Sequence, residues 1–206
     1  MHASLRLNLL CILLSLAAAS AVAGTGNSVT IEQIGDRAQA RIDQIGDRNW
    51  AGVSQDGGAN LDLIQKGDDN RADIAQGGKV DADLRQVGAG NQMSVSQAGE
   101  AQLTVVQLGG DNRASLTQQG GTSVANVASL AQIGAFNTAT LTQNGDDNRA
   151  AQLQLGDGNT QSITQNGDGN RAVYSQIGAG LPDLAVVQTG GMSMTILQTG
   201  SPFAGH

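Results

Sequence analysis

The residues able to do chemistry in this sequence are primary amides, and they recur at a fixed interval. Gln followed two positions later by Gly occurs at Gln33, Gln44, Gln55, Gln65, Gln76, Gln86, Gln97, Gln107, Gln118, Gln132, Gln143, Gln154, Gln165, Gln176, Gln188 and Gln198, sixteen copies. Histidine occurs only as His2 and His206, outside these copies, and the single cysteine is Cys11. Ser and Asp are scattered, so no nucleophile and base converge and an enzyme is not expected. No catalytic residue, metal ligand or cofactor site is assigned. A primary amide offers two donors and one acceptor. Buried, it is costly unless these are paired. A column of identical amides at strand spacing pairs them with one another, as in cross-β stacks. The chemistry to expect is therefore a structural hydrogen-bond ladder.

The spacing dictates what must hold such a ladder. Successive intervals are 11, 11, 10, 11, 10, 11, 10, 11, 14, 11, 11, 11, 11, 12 and 10 residues. From Gln44 to Gln118 they alternate 11 and 10, so the true period there is 21, two unequal arms; from Gln132 to Gln176 it is 22. The three extra residues after Gln118 fit one loop near residues 120–124, and the extra residue after Gln176 fits beside Pro182, which a central strand would not accept. The residue two before Gln is apolar or aromatic in fifteen of sixteen copies, Gln152 being the exception. Polar residues such as Asp43, Ser54, Asp62 and Thr117 intervene. That alternation reads as half-buried strands, with Gln on the inward face beside residues such as Ala40, Ala51, Ala72, Ala114 and Ala139.

The fold expected is all-β: a β-solenoid with two strands per turn, about eight rungs and cross-β stacking with Gln/Asn ladders. At about 4.8 Å per rung it would be roughly 38 Å long. No rung buries its inward face alone; stacking does that. One arm's ladder is expected at Gln44, Gln65, Gln86, Gln107, Gln132, Gln154 and Gln176, the other's at Gln55, Gln76, Gln97, Gln118, Gln143 and Gln165. Five residues after Gln stand Asn49, Asn70, Asn91, Asn112, Asn137 and Asn159, a continuous Asn ladder; the other arm carries it intermittently, at Asn60, Asn148 and Asn170. Between Gln and Asn, Gly46, Gly67, Gly88, Gly109, Gly134, Gly145, Gly156 and Gly167 supply the turns. Asp69 with Arg71 and Asp147 with Arg149 read as surface pairs beside those turns.

Composition agrees with a thin aliphatic core: 29 Gly, 2 Pro, and four aromatics (Trp50, Phe136, Tyr174, Phe203) that read as locally packed. Residues 1–23 read as a secretory signal peptide, with Arg6, an apolar run from Leu7 to Ala19 and Ala21-Val22-Ala23 before cleavage at Gly24. Residues 24–28 form a short N-terminal segment, 29–200 the repeat solenoid and 201–206 a C-terminal tail. Cleavage would remove Cys11, leaving an exported chain without disulfides. Removing Arg6 leaves 10 basic and 18 acidic residues, a net charge of −8, which argues against nucleic acid as a partner.

The full unit Gln-x-Gly-x-x-Asn-x-Ala-x-x-x-Gln occurs without deviation from Gln44, Gln65, Gln107, Gln132, Gln143 and Gln165, and from Gln86 with Met93 in place of Ala. It resembles the curlin repeat of bacterial curli fibres. The resemblance implies a secreted subunit that crosses the outer membrane through dedicated secretion and assembly machinery. It implies self-association, with or without a related curlin subunit, into extracellular amyloid fimbriae for adhesion and biofilm matrix. Asn70-Arg71-Ala72-Asp73-Ile74-Ala75-Gln76 and the end from Ala185 to Gln198 are similar to the family's minor, nucleating type. The chain departs from the family in having only residues 24–28 before the first repeat, where a longer targeting segment is usual.

The competing reading is a monomeric secreted β-solenoid, with a calcium-binding repeat adhesin as one form of it. Gly67-Asp68-Asp69 and Gly145-Asp146-Asp147 favour it, whereas Ala89, Gly110 and Ala135 interrupt the acidic column. The period also differs from that of calcium-binding nonapeptide repeats.

Overall fold

The computed structural model describes residues 6–12, 16–22, 24–35, 37–121 and 123–200, the first two segments as backbone alone. The expected leader otherwise lies outside the described residues, as does the tail 201–206. Among the described residues there is no helix. The strands are β1 (Arg6–Ile12), β2 (Leu16–Val22), β3 (Ser28–Ile34), β4 (Gln39–Ile45), β5 (Trp50–Asp56), β6 (Asn60–Lys66), β7 (Arg71–Val87), β8 (Gln92–Leu108), β9 (Arg113–Gln119), β10 (Asn126–Ile133), β11 (Thr138–Asn144), β12 (Arg149–Leu155), β13 (Thr160–Asn166), β14 (Arg171–Ile177), β15 (Val186–Thr189) and β16 (Ser193–Thr199).

The repeat explains how they stack. Each pairing is parallel and joins equivalent positions one period apart, as Gln44 with Gln65 and Gln143 with Gln165. The first arm runs β3, β5, the first half of β7, the first half of β8, β9, β11, β13 and β15. The second runs β4, β6, the second halves of β7 and β8, β10, β12, β14 and β16. These are the eight rungs of a β-solenoid with two strands per turn. β1 and β2 lie parallel to β3 and β4, on the outer side of rung one.

The unequal intervals show at the corners. On rungs three and four, where the link from first to second arm is 10 residues, the chain pairs straight round the corner, so β7 and β8 are single 17-residue strands; rung two has the same link but keeps β5 and β6 apart. The extra residues after Gln118 lie between β9 and β10. Pro182 lies between β14 and β15, and β15 shrinks to four residues.

Inward side chains form continuous columns between the two arms. Ile31, Val53, Ile74, Val95, Leu116, Leu141, Ile163 and Val186 line one, and Ile42, Leu63, Leu84, Val105 and Leu130 the facing one, all at most 4 % exposed. Fully burying such a side chain contributes about 1.5–3 kcal/mol. Backbones approach closely at the corners. At Gly109 (φ 114°) an added Cβ would lie 2.0 Å from the carbonyl oxygen of Gly134 on the next rung. Only glycine fits there.

Candidate functional site

The candidate site is the set of amide columns and the two ends where they stop. In the second arm each Nε2 donates to Oε1 of the next rung from Gln44 through Gln65, Gln86, Gln107, Gln132, Gln154 and Gln176 to Gln198, at 2.7–3.2 Å. In the first arm the same chain of bonds runs from Gln33 through Gln55, Gln76, Gln97, Gln118, Gln143 and Gln165 to Gln188, at 2.6–3.0 Å. Neither ladder has a gap.

The second hydrogen of most of these amides fastens the arms together. Gln65 Nε2 donates to the Trp50 carbonyl at 3.1 Å and Gln107 Nε2 to the Gln92 carbonyl at 3.0 Å, both carbonyls starting a strand of the opposite arm. Thus one inward Gln satisfies its donors and acceptor while cross-linking rungs and sheets, which is why its burial is tolerated.

The Asn column of the first arm is also continuous, and every member from Asn49 to Asn159 is 0 % exposed. Asn70, Asn91, Asn112 and Asn137 each donate Nδ2 to Oδ1 of the preceding rung's Asn at 3.0 Å. The Gln amides donate forward along the chain; these donate backward. Asn159 joins through its backbone N–H, which donates to Asn137 Oδ1 at 3.0 Å. The column starts earlier than sequence reasoning placed it, at Asn27, whose Oδ1 accepts from the Asn49 N–H.

In the second arm the expected member Asn60 is not in the column. It is exposed, and its amide donates to Asp81 at 2.7 Å. The shortened 10-residue link puts the fourth residue after Gln, not the fifth, at the inward corner. Ala59, Val80 and Ala101 fill it as a small buried apolar cluster. Where the link regains its length the column turns polar, with Asn126, Asn148 and Asn170 buried in succession. Asn126 follows the six-residue loop, so its distance from Gln118 hid it.

The turn glycines lie where the spacing put them, with positive φ at Gly46, Gly67, Gly88, Gly109, Gly134, Gly145, Gly156 and Gly167. The Asp after several of them has a role sequence reasoning missed. Asp68, Asp157 and Asp168 carboxylates accept the backbone N–H of Asp47, Ala135 and Asp146 on the preceding rung, at 2.7–2.8 Å. The recurrent Gly-Asp dipeptide was the signal for it. At the surface, Arg48 forks onto Asp69 with two bonds of 2.7 Å. That contact holds the Asp69 carboxyl below its usual range. Arg149 pairs with Asp147 at 3.1 Å, but Arg71 turns to Asp73 at 2.9 Å rather than to Asp69. Arg71 also covers the Trp50 ring at 3.8 Å, while Phe136 is 64 % exposed.

The two ends differ. On rung one Gln44 Oε1 is buried and has no hydrogen-bond donor among the described residues. On the last rung the segment before β15 replaces half a strand. The Asp183 carboxylate accepts from the Ser162 N–H at 2.9 Å and from the Ser162 hydroxyl. The room left admits Tyr174 into the column of Ile42, Leu63, Leu84, Val105 and Leu130, next to Gln152. Its hydroxyl donates to Gln198 Oε1 at 2.7 Å and accepts from the Leu184 N–H at 3.0 Å. Burial raises its phenol pKa. The other polar intrusions are Gln152 and Gln161, whose Oε1 atoms are buried without a partner.

The family described as curlin associated repeat matches residues 35–63, 125–151 and 134–167. No curated protein matches the chain. The rungs between the matched stretches carry the same ladders without interruption.

Proposed function

We propose, starting from a chain that belongs to the curlin repeat family, that it is a structural subunit of an extracellular amyloid fibre built by stacking copies end to end. One observation carries the reading. The second-arm Gln ladder runs unbroken and in one direction, so each end presents what the other lacks. Rung one ends in the acceptor Gln44 Oε1, and rung eight ends in the half-buried amide of Gln198. Once rung one is freed of β1 and β2, unpaired parallel strand edges at both ends add backbone templates of the same period. Adding a copy thus repeats the contact already made seven times within one chain.

Leader removal at Gly24 would uncover rung one by taking away β1 and β2, linking export to assembly. The same reading assigns outer-membrane secretion machinery and a related curlin subunit as partners, and surface adhesion and biofilm matrix as the roles of the fibre. The charged units near Arg41 and Arg71 and the half-blocked last rung favour the minor, nucleating type.

The test uses the chain from Gly24, released from denaturant and incubated. Fibres with a meridional reflection near 4.8 Å are expected. A soluble monomer after prolonged incubation would sink the reading. Subunit type is read by seeding: a nucleating subunit shortens the lag of a related major subunit at low ratio.

A further inference from the structure

The two outer faces of the solenoid are not alike along their length. On rungs one to three the second arm faces outward with Arg41, Asp62 and Asp83 in one column and Asp43, Ile64 and Arg85 in the next. The edge column there is Ile45, Lys66 and Val87. From rung four onward the two columns nearest the edge lose their charges: the edge continues as Leu108, Ile133, Leu155 and Ile177, and beside it stand Val106, Ala131, Leu153, Ser175 and Leu197. Ile133, Leu155, Ile177 and Leu197 are 38 %, 41 %, 40 % and 64 % exposed. The matching edge of the first arm carries Gln119, Asn144 and Asn166 instead. Contiguous exposed apolar surface of this kind marks an interaction site.

We propose that this aliphatic face is a lateral interface through which stacked filaments of the chain pair with one another. The inference rests on the stacking reading above. Area selects the occupant. Five rungs at about 4.8 Å and seven-residue strands at about 3.3 Å per residue give a face of about 500 Å². A stable pair of molecules needs about 800 Å² from each partner, so two single subunits do not hold together through it. In a stack the face recurs once per subunit, and the contacts add along the fibre. Pairing therefore follows polymerisation and does not precede it. The face is self-complementary. Its charges are Arg149 and Arg171, confined to the column farthest from the aliphatic edge. A two-fold arrangement sets apolar blocks against apolar blocks, with sheets about 10 Å apart.

The test compares fibres of the mature chain with those of an Ile133→Thr/Leu155→Thr/Ile177→Thr variant. Thr199 occupies the same column, so threonine is compatible with it. Scanning transmission electron microscopy gives mass per length, and fibre diffraction gives the rung spacing. Wild-type fibres are expected at twice the mass per length of the variant, with the same meridional reflection in both. A single Leu155→Lys change is expected to halve the mass per length as well; the column already accepts lysine on rung two, at Lys66. Variants that keep paired fibres overturn the interface. So do wild-type filaments that stay single, whether free or sedimenting with phosphatidylcholine vesicles; the latter would assign the face to lipid. Wild-type protein without the meridional reflection overturns the stacking reading and this interface with it.

Discussion

Replacing Gln107 with Met interrupts one ladder at its middle while keeping a side chain of similar length. Gln107 is 0 % exposed and makes three bonds: it accepts from Gln86 at 2.9 Å and donates to Gln132 at 2.9 Å and to the Gln92 carbonyl at 3.0 Å. After the change, one Gln86 hydrogen and the Gln132 Oε1 atom are left buried without partners. Each such orphan costs about 1–3 kcal/mol. Burying methionine in place of an amide returns about 1–2 kcal/mol. The net loss is about 3 kcal/mol, built from the orphan and burial magnitudes together. The same change at Gln198, half-buried on the last rung, orphans fewer groups: Gln176 Nε2 keeps the Pro182 carbonyl at 2.9 Å and the Tyr174 hydroxyl alone loses its acceptor, so the cost is smaller, about 1 kcal/mol. Trp50, the single tryptophan, reports urea unfolding of freshly desalted monomer. The double variant Gln86→Met/Gln107→Met removes two neighbours that share a bond, so it should cost less than the sum of the single changes. Equal effects at Gln107 and Gln198, or a loss at Gln107 under about 0.5 kcal/mol, would refute the argument that the ladder is a set of mutually dependent buried amides.

Other changes probe the corners and the last rung. Gly109→Ala drives a Cβ against the Gly134 carbonyl at positive φ and is expected to lower stability by at least about 2 kcal/mol in the same urea assay. Phe136→Gly relieves a left-handed backbone (φ 59°) at an exposed side chain, raising stability by about 0.5–1 kcal/mol. Burial raises the Tyr174 pKa in the folded chain. Its contribution is therefore complete below the unfolded value near pH 10 and is lost as pH rises through the folded one. Tyr174→Phe should abolish that alkaline loss of stability while costing about 1 kcal/mol at neutral pH through its missing hydroxyl bonds.

Strand number, inward face and ladder positions are legible in the sequence because each follows from counting. Two marks per period give two arms, and period-2 alternation fixes what points inward. Asn60 shows where counting stops. Its offset from Gln55 matches that of Asn49 from Gln44, yet deleting one residue from a corner moves the inward position to Ala59, and only the path of the backbone reveals it. The same holds for Asn126, displaced by the six-residue loop. Gln152 stands out in sequence as a polar residue in an apolar column, but its neighbour Gln161 does so only when the two arms are placed face to face. The aliphatic outer face was hidden for a related reason. Read along the chain, its residues alternate with core residues; read down the stack, Ile133, Leu155 and Ile177 are neighbours.

The opposed sense of donation in the two kinds of ladder bears on how large a stack can become. A column of amides all pointing one way is a row of dipoles whose end effects resemble those of a helix. Two Gln columns point one way, and the Asn column of the first arm points the other. Parallel strands themselves contribute little net dipole. The Asn column offsets part of what the two Gln columns sum to. The potential at a growing tip is then set by its last few rungs, not by the number behind it, and a long stack offers an incoming copy nearly the same electrostatic surface as a short one.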